Sequence, residues 1–173
     1  MLKGLNVFLI GMMGSGKTTV GNILAQKLNY RFFDTDVLIE RVMGQSVSEI
    51  FATAGENGFR DVESKVLENL SAYTKSIIAT GGGIVIKPTN WSYLRHGLVV
   101  WLDAPVDVIM ARLVDDNTRP LLQQTDPEQK LNSLLELRTP LYSLADLQIT
   151  ITPEQTPETI ASQIMTKIPS ILK

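Results

Sequence analysis

One short glycine-rich stretch constrains the fold more than any other part of the chain. Residues 11–19 read GMMGSGKTT and match the pattern G-x-x-x-x-G-K-[ST] at each fixed position. An apolar run suited to a buried strand precedes the stretch, and apolar residues spaced as on one face of a helix follow it. Strand, glycine loop and helix in this order predict a phosphate-binding loop, the P-loop.

The parts of this loop are expected to contribute differently to phosphate binding. Its glycines let backbone N–H groups turn inward, and the start of the helix adds partial positive charge. Lys17 is expected to reach the β- and γ-phosphates of ATP, and the Thr18 hydroxyl to ligate Mg²⁺. The residues predicted to hold the nucleotide phosphates are Gly14, Ser15, Gly16, Lys17, Thr18 and Thr19.

Length and composition narrow the class of protein. A chain of 173 residues predicts one domain, spanning residues 1–173. Its net charge of −2 gives no reason to expect nucleic acid or an acidic membrane as a partner, and the lack of cysteine excludes disulfides and thiolate catalysis. The N-terminal apolar run ends in the P-loop, which predicts a first strand rather than a signal peptide, and no later segment is long enough to span a bilayer. We expect a cytoplasmic monomer.

Apolar runs and helical patterns alternate along the rest of the chain. Runs suited to strands recur at residues 31–33, 77–79, 98–102 and 147–151, with amphipathic helices between them. This alternation predicts a parallel sheet in a three-layer α/β fold. Residues 114–127 are polar and lack periodicity, which predicts a long loop that acts as a lid.

Two aspartates follow the second predicted strand, at the sheet edge where ligands of α/β proteins bind. If the chain stays extended through Asp34-Thr35-Asp36, both carboxylates point the same way, so that one holds Mg²⁺ and the other accepts a hydrogen bond from an attacking hydroxyl. The alternative is a helix cap, which explains one aspartate but not both.

Arginines and a glycine triplet supply further candidates. Arg60 and Glu63 are spaced as a helix pair, and anion binding is as plausible for them as a surface ion pair. Gly81-Gly82-Gly83 follows a buried strand, where close approach of backbone to a ligand competes with a simple turn. Arg138 suits the end of a helix without any function, whereas Arg119 lies in the predicted lid, from which it can reach a transferring phosphoryl group. Residues 98–103, LVVWLD, end in an aspartate that we interpret as lying near a helix cap.

Taken together, these motifs resemble those of the shikimate kinases. The sequence has GMMGSGKTT, DTD, FRDVE, GGG, RPLL and ELRTPLY in that family's order and approximate spacing, from Gly11 to Tyr142. The resemblance implies a nucleoside-monophosphate-kinase-like P-loop fold with strand order 2-3-1-4-5. It also implies phosphorylation of the 3-hydroxyl of shikimate by ATP with Mg²⁺, giving shikimate 3-phosphate and ADP in chorismate and aromatic amino acid biosynthesis.

The resemblance also assigns residues. It implies a shikimate-binding segment at about residues 34–62. The residues that it implies hold shikimate are Asp36, Arg60, Gly82 and Arg138. It places Asp34 near the metal, Arg119 on ATP from the lid and Arg112 beside adenine. Residues 152–157 lack the arginine that some relatives place near adenine, and Gln155 is the candidate substitute. Asp36 is expected to orient the 3-hydroxyl and accept its proton, while Lys17 and Arg119 neutralise phosphoryl charge.

Two other functions compete with this interpretation. One is a kinase of another small acceptor, a nucleoside monophosphate or gluconate, although the short lid leaves few residues to bind a second base. The other is a P-loop switch or regulatory ATPase. A guanine-binding switch needs an N-K-x-D element, which the sequence lacks.

Overall fold

The computed structural model describes residues 1–113 and 126–172 of the chain. Their core is a five-stranded sheet in the order β2-β3-β1-β4-β5, in which every neighbouring pair is parallel. This confirms the predicted strand order. The strands are β1 (Val7–Ile10), β2 (Arg31–Asp34), β3 (Ser76–Ala79), β4 (Leu98–Asp103) and β5 (Leu147–Thr150).

Helices connect the strands and cover both faces of the sheet. Every residue of the central strand β1 is buried, as expected for a parallel strand with helices on either side. No helix within the described residues has the length and apolarity needed to cross a membrane. The helices are α1 (Lys17–Leu28), α2 (Thr35–Met43), α3 (Val47–Ser71), α4 (Pro88–Leu94), α5 (Val106–Leu113), α6 (Pro127–Tyr142) and α7 (Pro157–Ile171).

The strand register brings the predicted motifs to one edge. Ala79 on β3 is level with both Leu9 on β1 and Asp34 on β2. The P-loop, the two aspartates and the glycine triplet follow these strand ends directly. Because parallel strands all end at the same edge, the three segments converge there.

The chain does not stay extended through the two aspartates, so that prediction is wrong. Helix α2 begins at Thr35, and the Asp34 carboxylate caps it by accepting hydrogen bonds from the N–H groups of Asp36 and Val37. Asp36 therefore lies in the first helical turn. The capping alternative is confirmed for Asp34. Asp103, predicted to lie near the cap of the next helix, is the last residue of β4, and its carboxylate accepts a hydrogen bond from Gln148 on β5.

Helix α3 is interrupted at Gly55. Its first part begins with a capping box, in which Ser46 and Glu49 satisfy each other's backbone N–H groups. Gly55 has φ 73° and ψ 178°, a conformation essentially restricted to glycine. The second part, which carries Arg60 and Glu63, therefore runs as a separate helical segment up to Ser71.

Candidate active site

The P-loop lines an open cavity, here called the P-loop cavity. Gly16 precedes α1 with φ 97°, and no side chain caps the helix. The first N–H groups of α1 are therefore left for a ligand, as in other phosphate sites at helix N-termini. The lining residues are Met13, Gly14, Gly16, Lys17, Thr18, Thr19, Asp34, Asp36, Thr80, Gly81 and Gly82.

Lys17 supplies positive charge to this cavity. It is buried, and its Nζ donates hydrogen bonds to the carbonyl oxygens of Gly11 and Met12 at 2.7 and 2.8 Å. These bonds hold the ammonium against its own loop. A bound phosphate would therefore meet a charge that is already in place, and contact of Lys17 with the β- and γ-phosphates stays a prediction.

Thr18 and Asp34 form the part of the cavity that is suited to a metal ion. The Thr18 hydroxyl donates to Asp34 Oδ2 at 2.7 Å, while the same carboxylate caps α2 through Oδ1. A hydroxyl and a carboxylate oxygen are hard ligands of the kind that Mg²⁺ takes. The described residues contain no cluster of three or more histidine or acidic side chains. Mg²⁺ is usually held by one or two protein ligands together with phosphate oxygens and water.

A second cavity adjoins the first and is here called the arginine cavity. Two buried arginines, Arg60 and Arg138, reach it from α3 and α6. The other lining residues are Met13, Asp36, Val47, Phe51, Phe59, Glu63, Gly81, Gly82 and Gly83.

Arg60 is anchored by carboxylates on its own helix. Its guanidinium pairs with Glu63 at 2.9 Å and with Glu56 at 3.3 Å. Arg60 is only 6% exposed and Glu63 is fully buried, so the alternative of a surface ion pair is wrong. One face of the guanidinium lies against the backbone of Gly83, where any side chain would collide with it. The glycine triplet also forms a turn, in which the Ile84 N–H donates to the Gly81 carbonyl oxygen. The turn interpretation is therefore confirmed, and close approach of this backbone to a ligand stays a prediction.

Glu63 is a site residue whose position the sequence did not reveal. Burial raises its pKa above the ordinary value of 4.5, and the Arg60 guanidinium opposes the shift. Its Oε2 is buried without a hydrogen-bond partner among the described residues. Its spacing from Arg60 was the only signal, and spacing alone does not distinguish a buried pair from an exposed one.

Arg138 has no such carboxylate partner. It is 2% exposed, and no carboxylate of the described residues lies within 4.0 Å of its guanidinium. Its Nη1 is 3.9 Å from the sulfur of Met12. A buried cation without a carboxylate is costly, so the geometry is suited to an anionic ligand that enters the arginine cavity.

The two cavities share a wall made of Met13, Asp36, Gly81 and Gly82. Asp36 therefore faces both the phosphate side and the arginine side. A ligand hydroxyl at this wall would lie between a carboxylate and a phosphoryl group, which is the arrangement that phosphoryl transfer to an alcohol requires.

Part of the lining of the arginine cavity is apolar. Val47 and Phe51, from the first part of α3, face it together with Phe59. The Phe51 and Phe59 rings are 4.8 Å apart. The sequence did not reveal this wall, because Val47 and Phe51 are separated from Arg60 by the break at Gly55 and carry no motif.

Three further residues were predicted to contact the nucleotide. Arg119 falls outside the described residues. Arg112 is exposed, and its Nη1 donates to the carbonyl of Gly14 at 3.0 Å, which puts it on the P-loop. Gln155 lies in the turn after β5 and lines neither cavity described above. Its amide accepts a hydrogen bond from the Thr152 N–H and donates one to Gln163.

Known proteins resemble this chain over nearly all of its length. The family model for shikimate kinase matches residues 13–169. A shikimate kinase of Nostoc sp. is 60% identical over the whole chain and 96% of its own length, and that of Trichormus variabilis is 61% identical with the same coverage. A solved shikimate kinase from Acinetobacter baumannii, in complex with shikimate, superposes with a TM-score of 0.93 at 42% identity, covering 96% of this chain and 93% of that one. The chain belongs to the shikimate kinase family.

Proposed function

We propose that the protein transfers the γ-phosphoryl group of ATP to the 3-hydroxyl of shikimate, giving shikimate 3-phosphate and ADP in chorismate and aromatic amino acid biosynthesis. One observation carries the proposal at the level of the site. Two buried arginines face a cavity that shares Asp36 with the P-loop cavity. An anionic acceptor bound by the arginines would present a hydroxyl beside the phosphates.

Shikimate matches the arginine cavity group by group. Its carboxylate is suited to Arg60 and Arg138, since guanidinium groups bind carboxylates through charge-assisted hydrogen bonds. Its ring hydroxyls can meet Asp36 and the backbone of Gly82 at the shared wall. The apolar side formed by Phe51 and Phe59 is suited to packing against the ring.

The chain's own residues account for the main requirements of the transfer. The P-loop N–H groups and Lys17 bind and orient the phosphates. Asp36 orients the acceptor hydroxyl and takes its proton as the new O–P bond forms and the bond to the β-phosphate oxygen breaks. Thr18 and Asp34 would hold Mg²⁺, which neutralises charge on the β- and γ-phosphates when bound.

Several assignments rest on the sequence alone. Two predictions concern residues that lie wholly or largely outside the described part of the chain: the lid at about residues 114–127 and the phosphoryl-stabilising role of Arg119. The placement of Arg112 and Gln155 beside adenine stays a prediction as well. So do the extent of the shikimate-binding segment, at about residues 34–62, and the monomeric state. The acceptor assignment rests on Asp36, Arg60 and Arg138, and it needs neither the lid nor the adenine contacts.

A coupled assay of ADP production tests the function. The purified protein is given ATP and Mg²⁺ with shikimate, gluconate, AMP or CMP in separate reactions, and with no acceptor as the control. We expect turnover with shikimate to exceed that with every other acceptor. Equal turnover across the panel would exclude the proposal, and rapid hydrolysis without acceptor would favour a P-loop ATPase.

A further inference from the structure

Helix α6 carries a second buried side chain that reaches the site, one turn beyond Arg138. Tyr142 is fully buried, and its hydroxyl donates a hydrogen bond of 2.6 Å to the carbonyl oxygen of Gly82. The same hydroxyl is 3.6 Å from the sulfur of Met12 in the P-loop. A single phenol thus contacts the shared wall and the P-loop.

The ring of Tyr142 is held in place by the sheet. It stacks on Trp101 of β4, with ring centroids 5.6 Å apart and planes inclined by 29°. Met12, next to the hydroxyl, also accepts a hydrogen bond from Lys17 through its carbonyl oxygen. The position of the hydroxyl is therefore determined by rigid neighbours.

The phenol has one proton, and the geometry directs it to Gly82. Burial raises the pKa of Tyr142 to about 12, while the nearby Arg138 guanidinium acts in the opposite direction. The side chain is neutral at physiological pH, so it can donate to a carbonyl. Its oxygen lone pairs remain available to the guanidinium of Arg138.

We propose that Tyr142 is a positioning residue for acceptor binding, which fixes the orientation of the Gly82 peptide and the place of the Arg138 guanidinium. Gly82 has no side chain to anchor its peptide group. A Cβ at Gly82 would be 3.1 Å from Arg138 Nη1, so the guanidinium lies directly over this peptide. Loss of the hydroxyl would release both groups at once. The inference rests on the proposed function.

Tyr142→Phe tests the inference, because it removes the hydroxyl and keeps the ring. Calorimetric titration with shikimate, without nucleotide, should show a dissociation constant raised about tenfold, the order expected for leaving a buried carbonyl unpaired. ATP affinity should change less than about twofold, since no nucleotide contact is removed. Tyr93→Phe is the matched control, because Tyr93 is partly buried against the core and lines neither cavity.

A double-mutant cycle separates positioning from simple stability. Arg138→Lys should weaken shikimate binding by itself. Each substitution raises the dissociation constant of shikimate by some factor. If Tyr142 acts through Arg138 and Gly82, the factor for the double variant will differ from the product of the two single factors. Independent, multiplicative factors would overturn the inference, as would an unchanged shikimate affinity in a Tyr142→Phe variant with a lowered Tm.

A measurement on the unmodified protein covers the case in which the variant fails to fold. Addition of shikimate should shift the NMR resonances of the Gly82 amide and the Tyr142 ring along one titration curve. If the resonances of the Tyr142 ring do not shift at saturating shikimate, the inference is overturned while the proposed function stays intact. If the unmodified protein binds no shikimate, the proposed function falls, and the inference falls with it.

Discussion

The P-loop cavity and the arginine cavity are neighbours, yet they are built in different ways. Most of the P-loop cavity comes from residues 13–19, which act largely through backbone N–H groups and one lysine. The arginine cavity is made by side chains from α2, both parts of α3 and α6, together with the glycine triplet. The P-loop cavity thus has one contiguous stretch at its centre, completed by residues that follow β2 and β3, whereas the arginine cavity exists only once distant segments have packed together.

Because the two cavities are built differently, a mutation should be able to change the affinity for one ligand without changing the affinity for the other. A change confined to the arginine cavity should weaken acceptor binding and leave nucleotide affinity intact. A change in the shared wall should instead lower the rate, because that wall serves both ligands. The predictions below test this separation, from the largest expected effect to the smallest.

Asp36→Asn should have the largest effect. The amide keeps the size of the side chain but cannot accept the hydroxyl proton, so we expect kcat to fall about a thousandfold, within the range of general-base catalysis. The dissociation constant of shikimate should change far less. Steady-state kinetics and calorimetry measure the two effects. Asp61→Asn, at an exposed carboxylate of α3, is the control. A near-normal kcat would reduce Asp36 to an ordinary residue of the first helical turn.

Arg138→Ala should weaken binding of the acceptor and leave binding of ATP nearly unchanged. Removing one partner of a buried charge-assisted contact costs about 2–5 kcal/mol, so the dissociation constant of shikimate should rise at least about thirtyfold. ATP affinity should stay within about twofold, because the guanidinium lines only the arginine cavity. Arg95→Ala, at a half-exposed arginine, serves as the control. Comparable losses for both ligands would contradict the separation of the two cavities.

Gly83→Ala should give an intermediate effect by a steric route. The added methyl group would meet the Arg60 guanidinium, whose Nη1 would be 2.6 Å away. Overpacking of this kind costs about 1–3 kcal/mol, and we expect shikimate affinity to fall about tenfold as Arg60 is displaced. Titrations with shikimate and with ATP decide the outcome. An unchanged shikimate affinity would show that the close approach of Gly83 to Arg60 has no functional value.

Glu63→Gln should have the smallest effect, visible in the pH dependence of stability. Because burial raises the pKa of Glu63, the folded protein binds this proton more tightly than the unfolded chain does. The stability that this group contributes is therefore present below pH 4.5 and is lost as the pH rises through the folded pKa. Because glutamine cannot ionise, the Glu63→Gln variant does not lose this stability as the pH rises. In thermal melts, the Tm of Glu63→Gln minus the Tm of the unmodified protein should rise between pH 4.5 and neutrality. A difference in Tm that stays constant or falls over this range would contradict the direction of the pKa shift.

The fold was predictable from local patterns to a large extent. All five strands lie where apolar runs predicted them. The inner strands β1, β3 and β4 are buried on both faces and therefore read as nearly continuous apolar segments, whereas the edge strands β2 and β5 are only partly buried. The P-loop was equally clear, since its residues are consecutive. The extended conformation expected around Thr35 failed because Asp34 could cap a helix, and local sequence did not decide between the two outcomes.

Tertiary contacts determined what the sequence could not reveal. Arg60, Glu63 and Arg138 were recognised as candidates, but their burial depends on packing between α3, α6 and the glycine triplet. Val47 and Phe51 were missed because apolar residues on a helix are usually part of the core. Tyr142 stood in a quoted motif without a role, since its partner Gly82 is distant in sequence.

The break at Gly55 also has an evolutionary consequence. Residues 35–54 form only helices and the short connection between them, so no strand depends on their sequence. They supply Val47 and Phe51, whereas Arg60 and Glu63 lie beyond the break. Mutations or short insertions between Gly44 and Gly55, beyond Asp36 and the end of α2, can therefore reshape the apolar wall without altering the sheet register or the P-loop. This stretch is where a lineage could acquire a new acceptor preference while inheriting its phosphate chemistry unchanged.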